Sequence, residues 1–187
     1  MPEPEQAPSN DAPREDKPLP RSTRWQRWRR AALEALALVA VLVAVRAFQS
    51  RSLVSGAAPS IVARSLDGAE VRLGAAAQRP QILWFFATWC TVCRASEHNV
   101  RALGAGSDVV LIASDSGSDQ AIARFVREQG LSGLPVVNDA DGSVARRFGV
   151  RSFPTTFAVG RDGAIRSTDI GYTTELGLRW RRFWARQ

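Results

Sequence analysis

Residues 31–48 are apolar almost throughout, interrupted only by Glu34 and Arg46. As a helix this run covers about 27 Å, close to the ~30 Å hydrocarbon thickness of a bilayer. A buried core helix is the plain alternative, but such a helix keeps a polar face, and residues 35–45 have none. Ahead of the run lie Arg21, Arg24, Arg27, Arg29 and Arg30, with Trp25 and Trp28 between them. A basic, tryptophan-bearing flank suits a span that enters from the cytoplasm, which puts everything after residue 48 outside. A cleaved signal peptide is the rival, with passable sites at Val45-Arg46-Ala47 and Ser55-Gly56-Ala57. The leader of thirty residues before the run is long for that role, so an uncleaved anchor is expected. Residues 1–20, rich in Pro, Glu, Asp and Gln, read as a disordered tail. The expected division is a disordered basic cytoplasmic tail over 1–30, a transmembrane signal-anchor helix over 31–54, and a folded domain over 56–187.

In that domain the hydrophobic period alternates between strand and helix. Ile61–Arg64 and Glu70–Leu73 flank Asp67-Gly68, a hairpin turn pair. Gln81–Phe86 and Val109–Ser114 are unbroken apolar runs, suited to strands covered on both faces. Residues 90–103 and 119–129 have helical spacing, the second closed by Gly130. A short strand over 135–138, a short helix over 143–148 and a hairpin of Thr155–Val159 with 164–168 follow. Leu176, Trp180 and Phe183 then fall on one face of a last helix. The order predicts an α/β domain.

Composition narrows the chemistry. Two cysteines and one histidine, His98, cannot fill a four-cysteine or multi-histidine metal centre. The net charge of +7 raises the question of nucleic acid. The excess sits in the flank of the apolar run and in Arg179, Arg181, Arg182 and Arg186, and no recognition motif accompanies it, so no nucleic-acid partner is expected.

Cys90 and Cys93 stand three apart, after the strand 81–86 and where a helix should open. Unpaired N–H groups and the helix dipole stabilise an anion there, which lowers the pKa of the first thiol. Cys90 is then the nucleophile that attacks a disulfide, and Cys93 the thiol that resolves the mixed disulfide. A static bridge over so short a loop removes little chain entropy, which disfavours a purely structural role.

The stretch Trp84-Phe85-Phe86-Ala87-Thr88-Trp89-Cys90-Thr91-Val92-Cys93 resembles the active-site segment of thioredoxin-fold proteins. Gly149-Val150-Arg151-Ser152-Phe153-Pro154-Thr155, with Asp162-Gly163, is similar to that fold's second signature. Pro135 to Asp139 and Asp141-Gly142-Ser143 resemble the membrane-anchored, TlpA-like branch. The stretch from Gly171 to Trp180 is most like the suppressor-of-copper-sensitivity D-type protein disulfide oxidoreductases. The likeness implies a thioredoxin-like central mixed sheet with flanking helices. It also implies a cis peptide bond before Pro154, facing the cysteines, where an ordinary trans turn proline is the alternative. Such a bond exposes the Phe153 backbone to an extended substrate, and Trp89 shields the disulfide and contacts substrate. The buried acid of thioredoxins is replaced by Trp84, and Ser96 stands where many TlpA-like chains carry Glu, leaving Glu97, Ser96 and water as proton acceptors for Cys93. His98 reads as a surface residue.

The expected protein is a single-pass protein of the inner membrane with its catalytic domain in the periplasm, reducing disulfides of extracytoplasmic proteins. No cofactor is needed beyond the redox-active Cys90–Cys93 pair. A membrane electron donor of the disulfide-reductase type recharges it, as the resemblance implies. The rival readings are a protein disulfide oxidase or isomerase, a copper-binding thiol module, for which a third soft ligand is missing, and a purely structural partner.

Overall fold

The computed structural model describes residues 22–104 and 108–187, so the stretch 1–20 expected to be disordered lies outside the described residues. The chain divides into two units between Ala44 and Val45. Helix α1 (Ser22–Ser50) occupies the described part of the first and runs on into the second. Its stretch Trp25–Ser50 is long and apolar enough to cross a membrane. Leu33, Leu36, Leu42 and Phe48 stand exposed on it, as apolar side chains do when lipid is the solvent. Arg29 lies over the Trp25 ring at 4.9 Å, a cation–π contact of the kind found at bilayer interfaces.

The second unit is built on a five-stranded sheet of order β5-β4-β3-β6-β7. Strands β3 (Gln81–Phe86), β4 (Val109–Ser114) and β5 (Val136–Asp139) are parallel, while β6 (Thr155–Val159) pairs antiparallel with β3 and β7 (Ile165–Ile170) antiparallel with β6. All six residues of β3 and of β4 are buried, which is why both read as continuous apolar runs. Alternation still decides which side each residue serves. Ile82, Trp84 and Phe86 join one core cluster, and Leu83 and Phe85 the other. Helices α2 (Thr91–Arg101), α3 (Asp119–Glu128) and α5 (Glu175–Ala185) supply Val100, Ile122, Phe125 and Leu178 to the first cluster. The hairpin β1 (Ile61–Arg64)–β2 (Glu70–Leu73) and the short α4 (Ser143–Arg147) cover the second with Leu73 and Ala145.

Local chemistry sets the joints. In the hairpin turn Asp67 Oδ1 accepts from the Ala69 N–H at 3.2 Å and from the Ser65 hydroxyl, an Asx-type turn. Ser118 caps α3, its Oγ accepting from the Ala121 N–H at 3.3 Å. The buried Asp139 accepts from the Val144 and Ala145 N–H groups at 2.8 and 3.0 Å, and so holds the start of α4.

The structure settles one face that the sequence left open and departs from the sequence at one boundary. The helix at 175–185 forms, but Leu176, Trp180 and Phe183 face outward, at 78, 61 and 55% exposure. Leu178 and Ala185 are the residues that α5 buries. Arginine makes up the difference, because Arg182 clamps Asp108 through Nε (2.6 Å) and Nη2 (2.7 Å), and Arg186 adds a contact of 2.7 Å. Burial opposes ionisation of Asp108, but the hydrogen bonds and charges of these two arginines outweigh it, holding its carboxyl below the ordinary 3.8. A lowered carboxyl stabilises the fold above its unfolded value and loses that contribution as pH falls through the folded one. Docking of α5 should therefore be intact at neutral pH and weaken below about pH 4. Amide exchange across 175–185 at pH 3 and 6, compared with Asp108→Asn, checks this. The variant should lose the acid-induced step.

The departure is the start of the folded body, expected at residue 56. Ser52 Oγ donates to the Gly149 carbonyl (2.9 Å) and the Val54 N–H to that of Phe148 (3.2 Å), while Leu53 packs on the second core cluster. The strap that follows α1 is thus part of the domain, fixed by hydrogen bonds that hydropathy does not reveal. Gly149 makes room for it. Its φ is +71°, and a Cβ there would lie 1.7 Å from the Ser52 carbonyl oxygen. Gly149→Ala should cost about 1–3 kcal/mol. Thermal unfolding should show a larger loss than Gly68→Ala, which has φ of +86° but nothing within 4 Å.

Candidate active site

Strand β3 runs out at Phe86, and the chain turns through Ala87, Thr88 and Trp89 before α2 begins. Cys90 is the N-cap of that helix, and its Sγ accepts the Cys93 N–H at 3.1 Å. An otherwise unpaired amide of the first turn thus points at sulfur, where it stabilises negative charge. Cys90 and Cys93 are joined as a disulfide, with Cα atoms 5.2 Å apart. The two sulfurs have different surroundings. Cys90 retains 8% exposure and Cys93 none.

The Phe153–Pro154 peptide is cis, as the sequence implied. The loop before β6 brings the Phe153 carbonyl oxygen to 3.5 Å from Cys90 Sγ. Trp89 stands 61% exposed beside it, edge-on to the Phe153 ring with centroids 6.1 Å apart. The five residues singled out in the sequence, Trp89, Cys90, Cys93, Phe153 and Pro154, are therefore one cluster at the end of the sheet.

Several supports of this cluster were not legible in the sequence. The Trp89 indole N–H donates to the Asp115 carbonyl at 2.8 Å, from a residue with φ of +52°. Ser116 Oγ accepts the Thr88 N–H (3.1 Å) and donates to the Ser114 carbonyl (2.9 Å), and Arg94 donates to the Thr88 carbonyl (3.1 Å). The turn after β4 thus fixes the turn before the cysteines. The only hint was the polar run Ser114 to Ser118 after an apolar strand. Asn99, buried on α2, donates to the Tyr172 hydroxyl and the Thr173 carbonyl, both at 3.1 Å, and ties α2 to the approach to α5.

The acid–base neighbours expected from sequence are placed as follows. Trp84 is 1% exposed and stacks on Phe86 at 4.8 Å, and Cys93 belongs to the same apolar cluster. Ser96 is buried and spends its hydroxyl on the Val92 carbonyl at 2.8 Å. Glu97 is engaged elsewhere. With its amide nitrogen turned to the carboxylate, Gln129 donates to Oε2 at 2.7 Å. Burial pushes the Glu97 carboxyl up, against the opposing charges of Arg101, His98 and Arg94. His98 lies exposed. Among the described residues no group of three or more His, Cys, Asp or Glu is placed to hold a metal ion.

A thioredoxin-like α/β domain with a Cys-x-x-Cys disulfide at a helix start, faced by a cis-proline loop, defines a thiol–disulfide oxidoreductase whose redox centre is the cysteine pair itself. The AhpC/TSA family matches residues 54–168, more than half of the sequence, and the chain belongs to that family. The chain is 28% identical to the thiol-disulfide oxidoreductase ResA of Bacillus thuringiensis (strain Al Hakam) over 126 residues, 65% of this chain and 72% of that protein. It is 34% identical over 97 residues to the thiol:disulfide interchange protein CycY of Rhizobium leguminosarum bv. viciae, covering 50% of this chain and 51% of that one. Among solved structures, MTB dsbF in its mixed oxidized and reduced forms superposes with a TM-score of 0.59 at 27% identity, over 67% of this chain and 95% of that one. These likenesses support a ResA-type, TlpA-like branch within the family.

Proposed function

We propose that the protein is a membrane-anchored, periplasmic protein-disulfide reductase, with Cys90 as nucleophile and Cys93 as resolving thiol. One observation carries the assignment of roles. Cys90 Sγ receives an N–H of the first helical turn and retains exposure beside Phe153, while Cys93 is enclosed. In the reduced enzyme the Cys90 thiolate attacks one sulfur of a substrate disulfide. That S–S bond breaks, one substrate thiolate leaves and takes a proton, and a mixed disulfide forms. Cys93 gives up its proton and attacks Cys90 Sγ. The second substrate thiol leaves, and two electrons have passed to the substrate as the Cys90–Cys93 disulfide closes. A dithiol donor in the membrane must then return two electrons, since the space outside the cytoplasm is not reducing. The Phe153 backbone pairs with an extended segment of the substrate, Pro154 holds that edge open, and Trp89 covers the reacting sulfurs.

The anchor and its sidedness rest on the basic flank before α1 and on its apolar length. The likeness of Gly171 to Trp180 to copper-sensitivity oxidoreductases supports a part in copper tolerance. Cys93→Ala, expressed as the full chain, tests the reading. It should accumulate mixed disulfides through Cys90 with extracytoplasmic proteins, released by dithiothreitol. Failure to trap any partner, or trapping of cytoplasmic proteins alone, refutes it.

A further inference from the structure

The outward face of α5 is an exposed apolar surface of the folded domain that the redox chemistry does not use. Leu176, Trp180, Phe183 and Trp184 stand 78, 61, 55 and 48% exposed. The three rings touch one another, with centroids 6.3 Å (Trp180–Phe183), 5.8 Å (Trp180–Trp184) and 6.4 Å (Phe183–Trp184) apart. A contiguous aromatic patch of this kind on a soluble surface marks a contact with something else. Between it and edge strand β7 lies a cavity of about 500 Å³, lined by Arg166, Ser167, Trp180, Arg181 and Trp184. Two polar atoms of its lining residues, Ser167 Oγ and Arg181 Nε, are buried without a hydrogen-bond partner.

We propose that this face of α5 rests on the surface of the bilayer, with Trp180, Phe183 and Trp184 at headgroup depth and the β7 groove taking the phosphate of an anionic lipid. The inference rests on the membrane-anchored reading above. Two observations select lipid as the occupant. Tryptophan beside arginine is the composition of interfacial helices, and the same pairing stands at the opening of the apolar span, where Arg29 covers Trp25. Charge agrees in sign: α5 carries Arg179, Arg181, Arg182 and Arg186, of which Arg179 pairs with Glu175, Arg181 with Asp169, and Arg182 and Arg186 with Asp108, four cations against three carboxylates. An anionic surface is therefore attracted and a cationic one repelled. The donors Ser167 Oγ–H and Arg181 Nε–H border this groove without a partner, and a phosphate oxygen is an acceptor both can take.

The test uses the full chain in nanodiscs of phosphatidylglycerol, with and without bromine on the acyl chains. The difference between wild-type emission and that of Trp180→Phe/Trp184→Phe isolates the α5 tryptophans. The difference from Trp25→Phe/Trp28→Phe isolates those flanking the span. Bromine should quench both differences, the α5 emission by about twofold or more, and Phe183→Glu should abolish the α5 quenching. Quenching of the Trp25 and Trp28 emission alone overturns the α5 proposal and leaves the anchor standing. Quenching of neither overturns the anchor and the α5 proposal together. An α5 emission that shifts with protein concentration and ignores bromine assigns the patch to a second copy and also overturns it. Mixed-disulfide trapping by Cys93→Ala, run on the same nanodiscs, reports on the redox reading independently of all three.

Discussion

Cys90→Ser should abolish disulfide turnover, by about 10³-fold or more, while Cys93→Ser should retain the first half-reaction. The asymmetry follows from geometry. A serine hydroxyl at the N-cap still accepts the Cys93 N–H, so the helix start survives, serine being itself a favoured cap. What disappears is the thiolate, the only species that attacks sulfur at neutral pH. Losing Cys93 leaves that attack intact and stalls the enzyme as a mixed disulfide. Alkylation separates the two sulfurs without any substrate. In the reduced protein Cys90, with its 8% exposure, should react with iodoacetamide first, and Cys93, with none, should follow only after unfolding or after Cys90 is blocked. Tandem mass spectrometry of the one tryptic peptide that carries both cysteines reads this order from its fragments. Equal rates, or Cys93 leading, would reverse the assignment of nucleophile and resolving thiol.

Much of this architecture could be read from the chain because the buried strands carry the signal twice. Gln81–Phe86 and Val109–Ser114 are apolar on both faces, and the helices that cover them have clear helical spacing. The redox site was legible for a different reason. Two cysteines at one spacing, after one kind of strand, leave few chemical roles, and the cis Phe153–Pro154 bond followed from a resemblance rather than from any propensity. What escaped was whatever depends on long-range hydrogen bonds. Ser52 meeting Gly149, Trp89 meeting Asp115, and Asn99 meeting Tyr172 are contacts between residues with no shared pattern. The face of α5 stayed open for an instructive reason. Periodicity finds an apolar stripe but not its partner, and here Asp108 holds the opposite side of the helix through two arginines.

Trp84→Ala should produce the largest loss of stability of any single change near the site. Trp84 sits mid-strand in β3, flanked by Leu111 on β4 and Thr156 on β6, 1% exposed and stacked on Phe86. Burying a tryptophan removes about 150–250 Å² from water, and truncation of large aromatics in cores costs about 3–5 kcal/mol once the cavity is counted. Against a typical domain stability of about 5–15 kcal/mol this is a large fraction. For a domain of this size the melting temperature should fall by roughly 10–20 °C. Trp84→Phe keeps the stack and should cost less than half as much. A second readout ties the residue to the chemistry. Cys93 shares the cluster that Trp84 fills, so the cavity left by alanine should open a path to it. Alkylation of Cys93 in the reduced variant should then rise toward that of Cys90 at temperatures well below unfolding. If Trp84→Ala melts within about 3 °C of the parent, the side chain is not holding the core beneath the cysteines. If the variant is destabilised but Cys93 stays closed, then Phe86 and the α2 backbone enclose that sulfur without it.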